Sequence, residues 1–168
     1  MRVILVGGAL IVLLLVAATL SGCTISTSFR GPGYDRKRGV TLEGVGDTVV
    51  VGMTHAKLDR ATRKAFDEHS GNVIRTLDTH DGFVGRKLRL RLFGNEVWTM
   101  TVWRDESALQ RFVQSMVHVA AMAEGLPSII EGRFGHFEVP VEEIPLSWKR
   151  ALELLGENVT VYGSDVGG

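Results

Sequence analysis

The sequence predicts an α+β fold, a ferredoxin-like β-α-β-β-α-β sheet with two helices on one face plus a short C-terminal helix. Strand-like runs and segments of helical periodicity follow one another in this order, and a hairpin signal joins the second and third strands. The chain has 168 residues, 45% of them apolar, which is enough for one domain with a single core. We expect this domain over residues 47–155, followed by a C-terminal tail at residues 156–168, of which residues 163–168 are expected to be disordered.

The first strand and the first helix begin the domain. Residues 47–58 (DTVVVGMTHAKL) are rich in β-branched residues and predict the strand. Asp59 is placed to cap the next helix, because its carboxylate can accept hydrogen bonds from first-turn N–H groups. Four residues then recur at helical spacing and predict the buried face of this helix: Phe66, Ser70, Val73 and Leu77.

Two strands joined by a hairpin come next. Residues 83–92 predict a strand, in which leucines and cations alternate over residues 87–92 and therefore lie on opposite faces. The loop at residues 93–96 (FGNE) is typical of a hairpin. Residues 97–103 (VWTMTVW) are apolar or β-branched throughout, which predicts a central strand covered on both faces.

The second half of the domain repeats the helix-then-strand order. A helix is expected to begin at Asp105, with the strongest helical periodicity in the chain, and to end at Gly125 and Pro127. Residues 133–141 predict the fourth strand and residues 146–155 a short closing helix. The second helix is expected to bury one apolar stripe: Leu109, Phe112, Val113, Met116, Val117 and Ala120.

The N-terminal residues predict export and lipid attachment. Residues 3–20 are almost wholly apolar, and Cys23, the only cysteine of the chain, follows closely. The run Leu20-Ser21-Gly22-Cys23 resembles the lipobox of bacterial lipoproteins. The resemblance implies that residues 1–22 are a cleaved signal peptide and that lipid on Cys23 anchors the chain in a membrane. An uncleaved helix is the alternative, because the apolar run is about as long as a membrane span.

Residues 23–46 are expected to be a lipidated flexible tether, because they are rich in Ser, Thr, Gly and Pro and show no sustained period. Arg36-Lys37-Arg38 either reaches anionic headgroups or belongs to a solvated linker. The lipoprotein resemblance implies the bacterial cell envelope, and Thr24 points to the periplasmic face of the outer membrane in a Gram-negative cell. With 19 basic and 19 acidic residues, the composition does not indicate a nucleic-acid partner.

Residues 97–122 (VWTMTVWRDESALQRFVQSMVHVAAM) resemble the strand-to-helix segment of the antibiotic biosynthesis monooxygenase superfamily, the dimeric α+β barrels. The resemblance extends over about residues 47–141. It implies either cofactor-independent oxygenation of a small aromatic or quinol-like substrate or, in another branch, haem degradation. The haem branch matches only in part. Trp103 stands where its members carry Trp, but Met122 stands where they carry the haem-ligating His, and the Asn of their first strand is absent. We therefore expect no cofactor, with haem as the less favoured alternative.

The candidate site residues centre on His118, the candidate catalytic base. On a regular helix it points away from the apolar stripe, toward the surface or a neighbouring subunit, whereas a kink after Ser115 would turn it into the helix–sheet cleft. His55 and His136 lie on neighbouring strands, but no third ligand is evident and no metal site is predicted. The candidate pocket residues are Trp98, Trp103, Met122 and His55.

Two functions and two assemblies stay open. The protein is either an envelope lipoprotein that binds a small apolar ligand without catalysis, or a monooxygenase that uses His118 as general base. The strand at residues 97–103 carries bulky groups on both faces, and two helices cover only one. A homodimer through the sheet is therefore expected, while a fold-back of residues 144–155 over that face is the alternative.

Overall fold

The computed structural model describes residues 23–92 and 94–163. The predicted signal peptide at residues 1–22 lies outside the described residues, as do Phe93 and residues 164–168. Within the described ranges, no helix combines the length and the apolar character needed to cross a membrane.

The described residues form eight strands: β1 (Thr24–Ser26), β2 (Tyr34–Asp35), β3 (Gly39–Val40), β4 (Thr48–Leu58), β5 (Phe83–Arg91), β6 (Glu96–Trp103), β7 (Ile129–Pro140) and β8 (Thr160–Gly163). Six of these build one antiparallel sheet in the order β1-β5-β6-β4-β7-β8, and β2 pairs with β3. The middle four, β5-β6-β4-β7, have the ferredoxin-like order, which confirms the predicted fold class. The apolar β6 lies inside the sheet, where both of its faces can be covered.

Helices α1 (Arg63–Thr76), α2 (Glu106–Val113) and α3 (Met116–Gly125) cover one face of the sheet. The predicted face of α1 is turned toward the sheet, because the partly buried Val73 packs against a buried cluster on this side that includes Leu77, the residue that follows the helix. Asp59 does not cap α1 as expected. Its Oδ1 instead accepts from the Ala61 N–H at 2.8 Å, in the turn that precedes the helix.

The prediction of one continuous second helix is wrong, because the chain leaves the helical path between α2 and α3. Asp105 caps α2 as expected, with its Oδ1 accepting from the Ala108 N–H at 2.7 Å. Ser115 has an extended backbone, and its hydroxyl accepts from the His118 N–H at 3.4 Å to cap α3. Because this second cap starts a new helix, the side chains of α3 do not continue the periodicity of α2. Met116, which belongs to the predicted buried stripe, is therefore 89% exposed.

The chain's own ends cover the opposite face of the sheet. Helix α4 (Trp148–Glu157) places Ala151 and Leu155 in one buried cluster with Met100 and Val102 of β6. The homodimer was predicted because two helices cover only one face of the sheet. In the structure the C-terminal segment lies on the other face, as the alternative prediction of a fold-back has it. The homodimer itself stays a prediction.

Residues 23–46 are not a flexible tether in this structure, which corrects the sequence expectation. The Thr27 N–H donates to the Leu88 carbonyl at 2.9 Å, and β1 adds to the edge of β5. Phe29 is 7% exposed and belongs to the core cluster that includes α4. Its ring fits over Gly85, where a Cβ would lie only 2.8 Å from the ring. Composition suggested a linker, but edge pairing needs only backbone groups and one buried aromatic anchor.

The basic run Arg36-Lys37-Arg38 belongs to the β2–β3 hairpin. The Gly33 N–H donates to the Val84 carbonyl at 3.1 Å and holds this hairpin near the start of β5. Cys23 lies at the other end of the same strand, since its carbonyl accepts from the Leu92 N–H at 3.0 Å. The basic run is therefore a strand length away from the predicted lipid.

The predicted C-terminal tail at residues 156–168 carries regular structure in its described part, whereas residues 164–168, which were predicted to be disordered, lie outside the described residues. Helix α4 continues to Glu157, and β8 pairs antiparallel with β7, with Tyr162 opposite Gly132. The short strand finds a partner because β7 would otherwise be an edge with unpaired backbone groups.

Candidate functional site

A cavity of about 390 Å³ lies between the sheet and the layer formed by α1, α2 and α3. Among the described residues that line it there is no Asp, Glu, Lys or Arg. An ionised ligand would lose water in such a cavity without gaining a charged partner, so the wall favours a neutral and mainly apolar molecule. The polar side chains in the wall are hydroxyls and imidazoles: Thr54, Ser70, Thr99, Thr101, His118, His136 and Thr160.

The break between α2 and α3 brings His118 into this cavity wall. Its Nδ1 lies 3.0 Å from the Val113 carbonyl, and the ring is edge-on to Phe112 at 4.7 Å between centroids. A carbonyl can only accept, so the neutral ring carries its proton on Nδ1 and leaves the lone pair on Nε2. Burial lowers the pKa of His118 below its ordinary value, against the opposing effect of the Val113 hydrogen bond. The arrangement therefore supplies a neutral imidazole that can accept a proton.

Trp103 provides a buried N–H beside the cavity floor. The side chain is fully buried, and its ring stacks on Phe112 at 4.8 Å. Among the described residues, no hydrogen-bond acceptor pairs with its Nε1. A Cβ at position 52 would lie 3.0 Å from Thr101 Oγ1, 3.5 Å from Leu109 Cδ1 and 4.0 Å from this nitrogen, so only a glycine at position 52 lets these groups pack so closely. Trp103 is not among the described residues that line the cavity, and its N–H is enclosed by protein atoms beside the cavity.

A second imidazole lies in the same wall. His136 Nε2 is 3.4 Å from Glu106 Oε1, and Gln110 Nε2 donates to the same oxygen at 2.6 Å. His136 is about half exposed, unlike the more enclosed His118. Its position was not predicted as part of the pocket; alternation along β7 places it on the helix side, opposite Gly52.

The cavity holds only part of the predicted pocket set. Met122 lines it, and Trp103 lies beneath its floor. His55 and Trp98 stack on each other at 4.6 Å on the opposite face of the sheet, where His55 also contacts Glu96 at 3.4 Å. His55 and His136 thus point to opposite faces and do not meet. No cluster of three or more metal-ligating side chains occurs among the residues that the structure describes.

The cavity fits haem poorly. The position that the haem branch uses for its ligating His carries Met122, which lies in the wall. The described lining residues also include no Lys or Arg that could pair with the haem propionates. We derive no chemistry through haem for this chain.

Comparison with known proteins supports the fold and the domain type. Residues 49–124 match the family model described as antibiotic biosynthesis monooxygenase. No curated protein sequence matches the chain. A candidate monooxygenase from Lactobacillus acidophilus aligns with a TM-score of 0.50 and 10% identity, covering 70% of this chain and 51% of that protein. This chain therefore spans about half of that relative's length.

Two further solved structures are similar. A conserved protein of unknown function from Bacteroides thetaiotaomicron, suggested to be an oxidoreductase, aligns with a TM-score of 0.50 and 8% identity, over 56% of this chain and all of that one. SnoaB, a cofactor-independent oxygenase from Streptomyces nogalater, aligns with a TM-score of 0.46 and 19% identity, over 55% of this chain and 92% of that protein. At these identities the likeness concerns the fold alone.

Proposed function

We propose, from the antibiotic biosynthesis monooxygenase-like domain at residues 49–124, that this chain binds a small, neutral, apolar molecule between its sheet and its helices. The observation that carries the proposal is the cavity wall, in which the described residues supply hydroxyls and imidazoles but no carboxylate, ammonium or guanidinium group. The hydroxyls and imidazoles of the wall support a ligand that carries a polar oxygen. A flat phenol, naphthol or quinone meets both requirements.

Filling the cavity is expected to abolish this binding. Ser70 lies in the cavity wall on α1, and Ser70→Phe would place an aromatic ring where the ligand sits. Titration with 2-naphthol, followed by its fluorescence, should show saturable binding to the wild type and at least tenfold weaker binding to the variant, roughly 1.4 kcal/mol. Glu68→Phe is the matched control, because it adds the same ring to an exposed position of the same helix. Equal affinity for all three proteins would contradict a ligand site in this cavity.

Cofactor-independent oxygenation of the bound molecule is the second candidate, favoured by the geometry of His118. Nε2 would take a proton from an activated C–H group of the substrate, leaving a carbanion that donates electrons to O₂. Addition of O₂ gives a peroxide, and loss of water leaves a carbonyl, so that R₂CH₂ and O₂ become R₂C=O and H₂O. Turnover of quinol-like substrates that persists with chelators present would support this candidate.

We also propose that the protein is a lipoprotein of the bacterial cell envelope, held by lipid on Cys23, and at the outer membrane if the cell is Gram-negative. The support is the order of an apolar run, two small residues and the single cysteine. Cys23→Ser is expected to abolish lipidation and cleavage, because a hydroxyl is a far poorer nucleophile than a thiolate. Metabolic labelling with a fatty-acid analogue measures the loss, with Ser21→Ala as a control that keeps a small residue. Equal labelling of the Cys23→Ser variant and the wild type would contradict the anchor.

A further inference from the structure

The edge of the sheet beside Cys23 carries an exposed apolar row. Ile25 of β1 lies directly opposite Leu90 of β5 in the antiparallel register, so their side chains share one face. Leu92 follows Leu90 at a spacing of two, and the three side chains are 52%, 39% and 45% exposed in that order. We call this set, Ile25, Leu90 and Leu92, the edge patch.

The edge patch and Cys23 form one rigid unit. The Cys23 carbonyl accepts from the Leu92 N–H at 3.0 Å, and Thr24 pairs with Arg91 in the next register position. Cys23 precedes Ile25 by two residues, and alternation therefore places both on the face that carries the leucines. No slack chain separates the predicted lipid from the folded sheet, so a membrane reached through Cys23 is reached by the edge patch as well.

From these contacts we infer that the edge patch docks into the interfacial region of the lipid bilayer and fixes the orientation of the domain on the membrane. This inference rests on the proposed lipid anchor at Cys23. A bilayer suits the patch because its partly exposed leucine and isoleucine side chains would leave water for the acyl–headgroup boundary. A second copy of the chain could also cover the edge patch. We favour the bilayer because the lipid proposed on the neighbouring Cys23 would hold this edge of the sheet at the membrane.

Docking at this edge also places the cavity close to the bilayer. Leu88 and Leu90 of β5 and Leu92 just beyond its end follow one another at a spacing of two, and Leu88 lines the cavity. The row therefore runs without interruption from the cavity wall to the edge patch. An apolar ligand dissolved in the membrane would meet the protein at the patch before it meets the cavity.

Site-directed fluorescence tests the docking. Lipidation converts the only native thiol to a thioether, so a new cysteine in the lipidated and processed protein is the single reactive site. Leu90→Cys and Leu92→Cys would each be labelled with the polarity-sensitive dye NBD and reconstituted into phosphatidylethanolamine–phosphatidylglycerol vesicles that contain spin-labelled lipid. Both labels are expected to emit at shorter wavelength in the vesicles and to be quenched by the spin label. Two positions are used so that the result does not depend on either variant alone.

Lys37→Cys is the matched control, because Lys37 is exposed in the hairpin near the opposite end of β5. Its label is expected to keep its emission in water and to escape quenching. The same emission and quenching at positions 37, 90 and 92 would overturn the docking while leaving the anchor intact. A wild-type chain that reacts with the thiol reagent at Cys23 would instead overturn the proposed lipidation, and the docking with it.

Discussion

Substitution of His118 by Gln is expected to lower the rate of oxygen uptake with a quinol-like substrate by roughly 10²- to 10⁴-fold, the usual contribution of a positioned general base. Glutamine keeps a polar side chain of similar length but cannot take up a proton near neutral pH. Binding of 2-naphthol should change much less than the rate, because the remaining cavity wall is unaltered. An oxygen electrode measures the rate, and the fluorescence titration measures the binding.

His136→Gln is the matched control for this experiment, since His136 is an imidazole in the same wall that pairs with Glu106 at 3.4 Å. This variant should retain most of the activity. Loss of activity in the His136 variant with retention in the His118 variant would contradict the assigned base. Equal activity in both variants and the wild type would show that neither imidazole is the base, and no oxygen uptake by the wild type would leave ligand binding without catalysis as the function.

The pH dependence of the wild type follows from the same residue. Burial lowers the pKa of His118 below the ordinary value of 6.5, and the competent base is the neutral form. The acid limb of the rate profile is therefore expected below pH 6.5, with full activity already present at neutral pH. The free energy of unfolding is expected to fall at low pH as the rate does, because His118 takes up a proton more readily in the unfolded chain than in the folded one. The contribution of His118 to this free energy is fully present above pH 6.5 and is lost as the pH falls from there through the folded pKa.

Phe29→Ala is expected to reduce the free energy of unfolding by about 3–5 kcal/mol, the typical cost of deleting a buried aromatic side chain. Phe29 is 7% exposed, lies edge-on to Tyr34 at 4.9 Å between centroids, and packs over Gly85. Urea denaturation followed by tryptophan fluorescence measures the difference. The experiment asks whether the N-terminal segment belongs to the domain, and the large expected effect makes the answer clear.

Ser28→Ala serves as the control for Phe29, because Ser28 is exposed and adjacent in the same segment. This change should stay within about 0.5 kcal/mol of the wild type, as surface substitutions usually do. If Phe29→Ala were equally mild, the segment would contribute nothing to the core. Residues 23–46 would then behave as the flexible tether that their composition suggests.

Some features of this fold follow from local patterns in the sequence. The alternation in residues 87–92 correctly separates Leu88 from Lys87: Leu88 lines the cavity, and the Lys87 ammonium lies on the opposite face, 5.4 Å from the Trp148 ring centroid. The apolar character of residues 97–103 correctly predicts a strand inside the sheet. These features need only the period of two of a strand and the burial of apolar groups.

The break between α2 and α3 is a feature that local sequence patterns do not predict. The sequence carries an unbroken helical stripe through Met116, and helical period alone turns His118 away from the cleft. The structure instead starts a new helix at the Ser115 cap and exposes Met116. A serine in mid-pattern is compatible with either outcome, so packing of the helices on the sheet decides between them.

By itself, the sequence determined the α+β class, the order and faces of the central strands and the inward row of α1, because each depends on neighbours within a few residues. It also motivates the Cys23 anchor, which stays a prediction. Only the tertiary structure decided that His118 lies in the cavity and that the chain ends cover the sheet. These outcomes depend on contacts between segments far apart in the chain, and the local periodicity of the sequence does not determine the free energies of those contacts.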